Sequence, residues 1–334
     1  SSRFVVGTDT YLYDKSPVTE DELQQNRRFA DIAASIQKVT EDILIKIANY
    51  LYRNTGLKKL CLSGGVALNC VANYKILKHT PFEEIFIQPS AGDGGGALGA
   101  ALYVWHCMLN RPRRFILNHA YWGKDYSSSD IQSFLDRKSV HYIKFNNERK
   151  LLNYVKEALV KQKIVGWFQG RFEWGPRALG SRSILADPRN IYMRDNINLK
   201  VKFREAFRPF APSVLYEHTD LLFDTDGIKD QYPFRFMLYT LSTKNNLIAA
   251  ASHVDSTARP QFVYREINPL YYAVIDEFYR ETGVPALLNT SFNLKGEPIV
   301  NSPLDAYNTF VKSGIDTLVM DRFVIKKDGL SQRI

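Results

Sequence analysis

The sequence indicates chemistry most strongly in residues 198–213, "NLKVKFREAFRPFAPS". This stretch combines four cations and three phenylalanines, and Glu205 is its only acid. A solvated amphipathic surface segment is the alternative, because charge runs are often no more than that. Cations held in place by apolar bulk nevertheless favour an anionic ligand, since a charge that loses water requires a partner. The cations are Lys200, Lys202, Arg204 and Arg208.

A second cationic stretch, "GRFEWGPRALGSRSILADP" at residues 170–188, is a predicted loop with several glycines. It carries Arg171, Arg177 and Arg182, and Glu173 can neutralise only one of them. Guanidinium groups bind phosphates through two parallel hydrogen bonds. A solvated loop is the alternative, but it would leave Trp174 and several aliphatic residues exposed together. The two stretches therefore predict a site for a phosphorylated ligand.

Neutral polar residues follow a predicted strand near the carboxyl end. "LLNTSFNLKG" contributes Asn289, Ser291 and Asn293, and the earlier "VDSTARPQ" contributes Arg259. Amide and hydroxyl groups fix the orientation of a ligand whose charge is met by arginine and lysine. An ordinary turn is the alternative, and it is favoured for Asn293 taken alone.

Two glycine turns, "LSGGVALN" and "SAGDGGGALGAAL", each follow a predicted strand and precede a predicted helix. A helix amino terminus behind such a turn can bind an anion, although a tight turn by itself also uses glycine. Asp93 is either a helix cap or a carboxylate offered to a metal or a ribose. We expect the two turns to face one crevice at the strand ends. Their candidate residues are Ser63, Gly64, Gly65, Asn69, Gly92, Asp93, Gly94 and Gly95.

The elements that position these residues alternate between helix and strand. Apolar residues at helical spacing, from Phe29 to Ile47, predict a long helix that ends before Gly56. A βαβα series follows, residues 112–127 interrupt the periodicity, and the second half is α/β with a mixed sheet. With 334 residues, about two domains are expected.

Composition narrows the classes of partner. The net charge of +9 suits an anionic partner, and no apolar run is long enough to predict a membrane span. There is no long basic block to favour a nucleic-acid arm. Cys61, Cys70 and Cys107 form no CxxC motif, so we expect a reducing, cytoplasmic location. The six histidines are scattered, and each is expected in a core or surface role.

Six motifs in this order resemble the O-carbamoyltransferases of the nodulation and antibiotic-tailoring family, which includes tobramycin carbamoyltransferase. They are "SGGVALN", "GDGGGALGAAL", "GRFEWGPRALGSRSI", "KFREAFRPFAPS", "TARPQ" and "NTSFN". The resemblance implies an α/β fold with two domains. Residues 1–115 would form the carboxyl-terminal half of a Kae1-like, actin-like ATPase domain. Residues 125–334 would form a YrdC/Sua5-like domain with a mixed twisted sheet.

The resemblance also implies a two-step reaction. Carbamoyl phosphate and ATP, with Mg²⁺, would give carbamoyl-adenylate, and the carbamoyl group would then pass to a hydroxyl of a small-molecule acceptor. The implied catalytic residues are Lys202, Arg208, Arg177 and Arg259. ATP and carbamoyl phosphate would contact Arg171, Arg182, Arg204, Asn289, Ser291 and Asn293. The adenylate would contact Ser63, Gly64, Gly65, Asn69, Gly92, Gly94 and Gly95, with a divalent metal, iron or a substitute, on Asp93.

One feature of the family is missing. Its members carry a long amino-terminal part with a His-x-x-x-His metal pair, and that pair does not occur here. Two alternatives stay open: an RNA-modification protein of the tRNA threonylcarbamoylation type, and a fragment that acts only with a missing amino-terminal half. Binding to nucleic acid or to a membrane is not favoured. A homodimer is compatible with the sequence.

Overall fold

The computed structural model describes residues 20–204, 208–225 and 227–327. Glu205 and the first residues of the predicted amino-terminal domain lie outside this described part. The first segment contains the predicted βαβα series, and its two strands pair in parallel. The elements are α1 (Glu20–Thr55), β1 (Lys59–Leu62), α2 (Cys70–His79), β2 (Glu84–Ile87) and α3 (Gly95–Tyr103).

The long helix α1 is confirmed, and it ends at Thr55 before Gly56, whose φ is 65°. Its apolar stripe, from Phe29 to Ile47, faces outward with its large side chains 43 to 63% exposed. The side of α1 that packs on α2 instead buries Glu41, which pairs with Lys75 at 2.5 Å. Despite this stripe, no helix in the described part of the chain is long and apolar enough to span a membrane.

The second segment is built on an eight-stranded sheet in the order β3-β12-β11-β4-β5-β10-β6-β9. Both parallel and antiparallel pairs occur, so the predicted mixed sheet is confirmed. Its strands are β3 (Ile143–Lys144), β4 (Val165–Phe168), β5 (Arg182–Ala186), β6 (Ala211–Leu215), β9 (Gln261–Val263), β10 (Ala286–Ser291), β11 (Thr317–Met320) and β12 (Phe323–Lys326). A separate hairpin pairs β7 (Leu241–Ser242) with β8 (Thr257–Ala258).

Helices cover both faces of this sheet. They are α4 (Ser128–Arg137), α5 (Glu148–Val160), α6 (Tyr192–Ile197), α7 (Pro269–Thr282) and α8 (Pro303–Lys312). Successive strand residues point to opposite faces, so Leu185 enters the core under α5 and α7, while Ile184 enters the core under α4 and α8. The core under α5 and α7 also contains Leu60, Ile76 and Ile85 of the first segment. The two segments therefore share one apolar core.

The predicted interruption at residues 112–127 has irregular backbone. One isolated bridge joins Tyr121 to Glu173, and Ala120 accepts a hydrogen bond from Trp174 at 2.6 Å. The connecting segment thus packs against the cationic loop between β4 and β5. The assignment of residues 1–115 and 125–334 as two domains stays a prediction.

Candidate functional site

Lys202 is buried at the carboxyl end of β10. It closes a single π-helical turn, Asn198–Lys202, that continues α6, and only 4% of the residue is exposed. Its Nζ donates to Ser291 O at 2.5 Å, Ser291 Oγ at 3.2 Å, Asn293 O at 3.1 Å and Asn293 Oδ1 at 2.7 Å. These acceptors are neutral oxygens, and burial together with the nearby Arg204 charge lowers the pKa of Lys202 well below its usual range. A negatively charged ligand would stabilise the ammonium form.

The cationic stretch after Lys202 folds back on Asn198. Phe203 has a φ of 46°, and Asn198 Nδ2 donates to Arg208 O at 3.1 Å. Arg204 Nε donates to Asn198 Oδ1 at 2.8 Å, and its guanidinium lies 4.9 Å from the centre of the Phe210 ring. Asn198, which was not predicted as a site residue, bonds to residues on both sides of this turn. Arg208 itself is exposed.

Arg177 lies where the second segment meets the glycine turns. The residue is half-buried, and its Nε is buried with no hydrogen-bond partner among the described residues. Burial and the neighbouring Arg259 charge lower the pKa of Arg177 to about 10, while Cys70 opposes the shift. A Cβ on Gly175 would lie 2.5 Å from Pro89 O, so the loop packs directly against the second glycine turn. Two adjacent guanidiniums at such a junction suit an anion.

Asn289 links this junction to Lys202. Its Nδ2 donates to Ala178 O at 3.1 Å and to Ser213 Oγ at 3.0 Å. Ser291 follows two residues later on the same strand, a separation of about 7 Å. The structure therefore brings the predicted residues together as two neighbouring groups along β10. One is Lys202 with Ser291 and Asn293, and the other is Arg177 with Arg259.

Two residues predicted as ligand contacts, Arg182 and Asn289, are fully enclosed by the protein. Arg182 is 0% exposed, its guanidinium lies 3.7 Å from the centre of the Phe168 ring, and it donates to Gln169 O at 2.8 Å. This enclosure argues against contact between Arg182 and a phosphate. Asn289 is also buried, and its amide supports the loop from inside. Arg182 therefore contacts an aromatic ring and backbone oxygens of the protein, which composition alone could not show.

Glu173 organises the cationic loop. Its buried Oε1 accepts hydrogen bonds from the backbone N–H groups of Leu179 at 2.8 Å, Ser181 at 2.7 Å and Arg182 at 3.2 Å. Burial raises the pKa of Glu173, and these hydrogen bonds and the Arg182 charge oppose the shift. From the sequence, Glu173 was predicted only as a counter-charge to one arginine. The feature of the sequence that could have indicated this structural role is a single acid in a loop rich in glycine and aromatic residues.

The two glycine turns meet, as predicted. Gly64 N donates to Ala91 O at 2.8 Å, and Ser63, Gly64 and Gly65 are exposed at the meeting point. Gly64 has a φ of 100°, which favours glycine. Gly94 and Gly95 have another role, because a Cβ on either would collide with Gln88 or Ser90. Close packing of the turn on itself therefore explains these two glycines.

The remaining candidates at the glycine turns have local partners. Asn69 Oδ1 accepts from Ala72 N at 3.1 Å and caps α2, while its Nδ2 donates to Gln37 at 2.9 Å. Both polar groups are occupied, which argues against the predicted adenylate contact. Asp93 lies in the turn before α3, but the described residues contain no group of three or more His, Cys, Asp or Glu that could hold a metal. The residues present do not by themselves fit the implied metal.

Arg171 lies apart from both groups. It lines an open cleft of about 540 Å³ together with His119, Trp122 and Asn268. His119 and Trp122 stack with ring centres 4.6 Å apart. Its predicted contact with ATP or carbamoyl phosphate stays a prediction.

The fold and these two groups define an α/β protein with a buried lysine at the end of one strand and two half-buried arginines near the same strand. Residues 9–102 match the family model "Carbamoyltransferase N-terminus", and residues 156–327 match "Carbamoyltransferase C-terminus". The chain belongs to the carbamoyltransferase family.

Several curated proteins are similar over most of this chain. An uncharacterised protein of Synechocystis is 41% identical across 96% of this chain and 54% of its own length. Nodulation protein NolNO of Sinorhizobium fredii is 44% identical across 89% of this chain and 44% of its own length. The 3'-hydroxymethylcephem-O-carbamoyltransferase of Amycolatopsis lactamdurans is 32% identical across 81% of this chain and 49% of its own length. The chain thus spans about half the length of these relatives.

A solved structure of HypF in a phosphate- and nucleotide-bound form shows a weaker similarity. The two proteins are 16% identical, the match covers 56% of this chain and 23% of the HypF chain, and the TM-score is 0.38. This value is too low to support a conclusion about fold.

Proposed function

We propose that this chain carries out the carbamoyl-adenylate-forming step of an ATP-dependent O-carbamoyltransferase. The balanced step converts carbamoyl phosphate, ATP and one water into carbamoyl-adenylate, phosphate and pyrophosphate. The observation that carries the proposal is the buried Lys202, whose ammonium is held by the neutral oxygens of Ser291 and Asn293. A cation kept in place without a carboxylate is suited to a substrate that brings negative charge.

The arginine pair supports the same proposal from the other side of Asn289. Both substrates are polyanions that repel each other, and MgATP and carbamoyl phosphate must be brought close together. Lys202, Arg177 and Arg259 would offset this repulsion and the charge that develops when the α-phosphate is attacked. Arg208, an exposed residue whose backbone oxygen accepts from Asn198, would contact the phosphates.

We also propose a Kae1-like and YrdC-like arrangement, with carbamoyl transfer to a small-molecule hydroxyl at the glycine turns. The similarity to a 3'-hydroxymethylcephem-O-carbamoyltransferase supports a hydroxyl acceptor. Ser63, Gly64 and Gly65 are exposed where the two turns meet, so their backbone can approach an anionic group. No step is assigned to a metal on Asp93, because the described residues do not complete a metal site.

Pyrophosphate release from ATP, Mg²⁺ and carbamoyl phosphate tests the first step. Lys202→Ala should lower the rate by about 100-fold, the loss expected when one buried charge-stabilising group is removed. Lys200→Ala is the matched control, because Lys200 is exposed two residues away in the same turn. Equal rates for the wild type and Lys202→Ala would contradict the proposal.

A further inference from the structure

His253 belongs to a series of three hydrogen-bonded side chains before β9. Its Nδ1 lies 2.9 Å from Thr257 Oγ1, and Thr257 Oγ1 donates to Asp255 Oδ1 at 2.7 Å. Backbone bonds hold the turn in place, since His253 N donates to Thr257 O at 2.7 Å and Thr257 N donates to Asp255 Oδ1 at 3.1 Å. We call these three residues the His253 series.

The series fixes which nitrogen of His253 carries the proton. Burial raises the pKa of Asp255, but the Thr257 hydrogen bonds and the His253 charge outweigh it and leave the pKa below its usual range. The Asp255 carboxylate therefore only accepts, and the Thr257 hydroxyl proton points to it. Thr257 can then only accept from His253, so Nδ1 carries a hydrogen and Nε2 has a free lone pair.

The His253 series lies in the chain between a turn that packs on α6 and Arg259 of the proposed adenylation site. The turn Ala249–Ala251 packs on α6, the helix that leads into Lys202, and Ala250 N donates to Pro188 O at 2.9 Å. On the other side, the Arg259 charge acts on His253 and also on Arg177. Burial, followed by Arg259, lowers the pKa of His253, while Asp255 opposes the shift. The lowered pKa favours the neutral imidazole.

The proposed reaction requires a base, and the site described above offers only cations and neutral groups. In the balanced step, the water can take the phosphoryl group of carbamoyl phosphate and release carbamate, which then attacks ATP. We propose that His253 is the general base that takes a proton from this water. The bond from water oxygen to phosphorus forms, the bond from phosphorus to the carbamate oxygen breaks, and the proton moves to Nε2. Carbamate leaves as the anion and then displaces pyrophosphate from ATP.

This inference rests on the proposed function. A substrate that skips the hydrolysis step allows the role of His253 and the proposed function to be tested separately. Ammonium bicarbonate solutions contain carbamate, which needs no hydrolysis before it attacks ATP. His253→Gln should lower phosphate release from carbamoyl phosphate by about 100-fold, the usual share of a general base. Pyrophosphate release with ammonium bicarbonate should stay close to that of the wild type. His141→Gln, at an exposed position, is the matched control.

The pH profile gives a second measurement on the same proteins. Phosphate release by the wild type should fall on acidification, because a protonated Nε2 cannot accept a proton, and the lowered pKa of His253 moves this fall below the pH at which an ordinary imidazole titrates. Thr257→Val should lower the rate of phosphate release and shift the pH at which it falls. His253→Gln should abolish this pH dependence. Loss of both reactions in a folded His253→Gln protein, or loss of neither, would overturn the role of His253. A wild type that releases no pyrophosphate from either substrate would instead refute the proposed function.

Discussion

At the scale of single residues, Glu173 determines the shape of the cationic loop. One buried carboxylate oxygen accepts three backbone N–H groups. Glu173→Ala would leave these donors buried without an acceptor, so we expect unfolding free energy to fall by at least about 2 kcal/mol. Glu173→Gln keeps an oxygen at the same place and should cost less. Urea denaturation of the two variants measures the difference, and equal losses would show that the acceptor is not what stabilises the loop.

The residues of the site could be predicted only in part, and the reason is geometric. Lys202, Ser291 and Asn293 were predicted as ligand contacts, and the structure brings them together at one strand end. Arg182 was predicted from the same clustering of charge, but it packs on Phe168 and donates to backbone oxygens. Sequence shows that a cation needs a partner, whereas the fold decides whether that partner is a ligand or the protein.

At the scale of elements, sequence periodicity predicts helices and strands more readily than their burial. The apolar spacing of α1 correctly indicated a helix, yet its stripe is exposed because the described residues that pack on α1 lie on another side. The glycine turns behave similarly. Their convergence follows from two strand-to-helix turns on parallel strands, but the collision that requires glycine at position 95 depends on the path of Gln88 and Ser90.

The loop between β4 and β5 gives a prediction at this scale. Gly180 has a φ of 103°, and a Cβ there would collide with the Tyr271 ring of α7. Gly180→Ala should therefore lower unfolding free energy by roughly 3 kcal/mol or more, through both strain and overpacking. Gly170→Ala is the matched control in the same loop, since its φ is 50° and a Cβ would meet open space. Its cost should be about 1 kcal/mol. Thermal unfolding of both variants provides the comparison, which fails if the two losses are equal.

At the scale of the whole molecule, the shared core means that the two segments should unfold together. Leu60, Ile85 and Phe82 of the first segment belong to the same buried cluster as Trp167 and Phe262 of the large sheet. The Phe86 and Tyr232 rings also stack with centres 4.7 Å apart across the two segments. Such continuity favours a single cooperative transition.

Phe82→Ala tests this coupling, because Phe82 packs on Tyr52 at the far side of the first segment. The cavity should lower unfolding free energy by about 3 to 5 kcal/mol. If the core is shared, the transition seen by far-ultraviolet circular dichroism and the one seen by tryptophan fluorescence should shift together, since three of the four tryptophans lie beyond residue 121. Leu57→Ala, at a side chain 64% exposed, should shift neither. A Phe82→Ala protein whose circular dichroism changes while its fluorescence transition stays in place would show that the segments unfold independently.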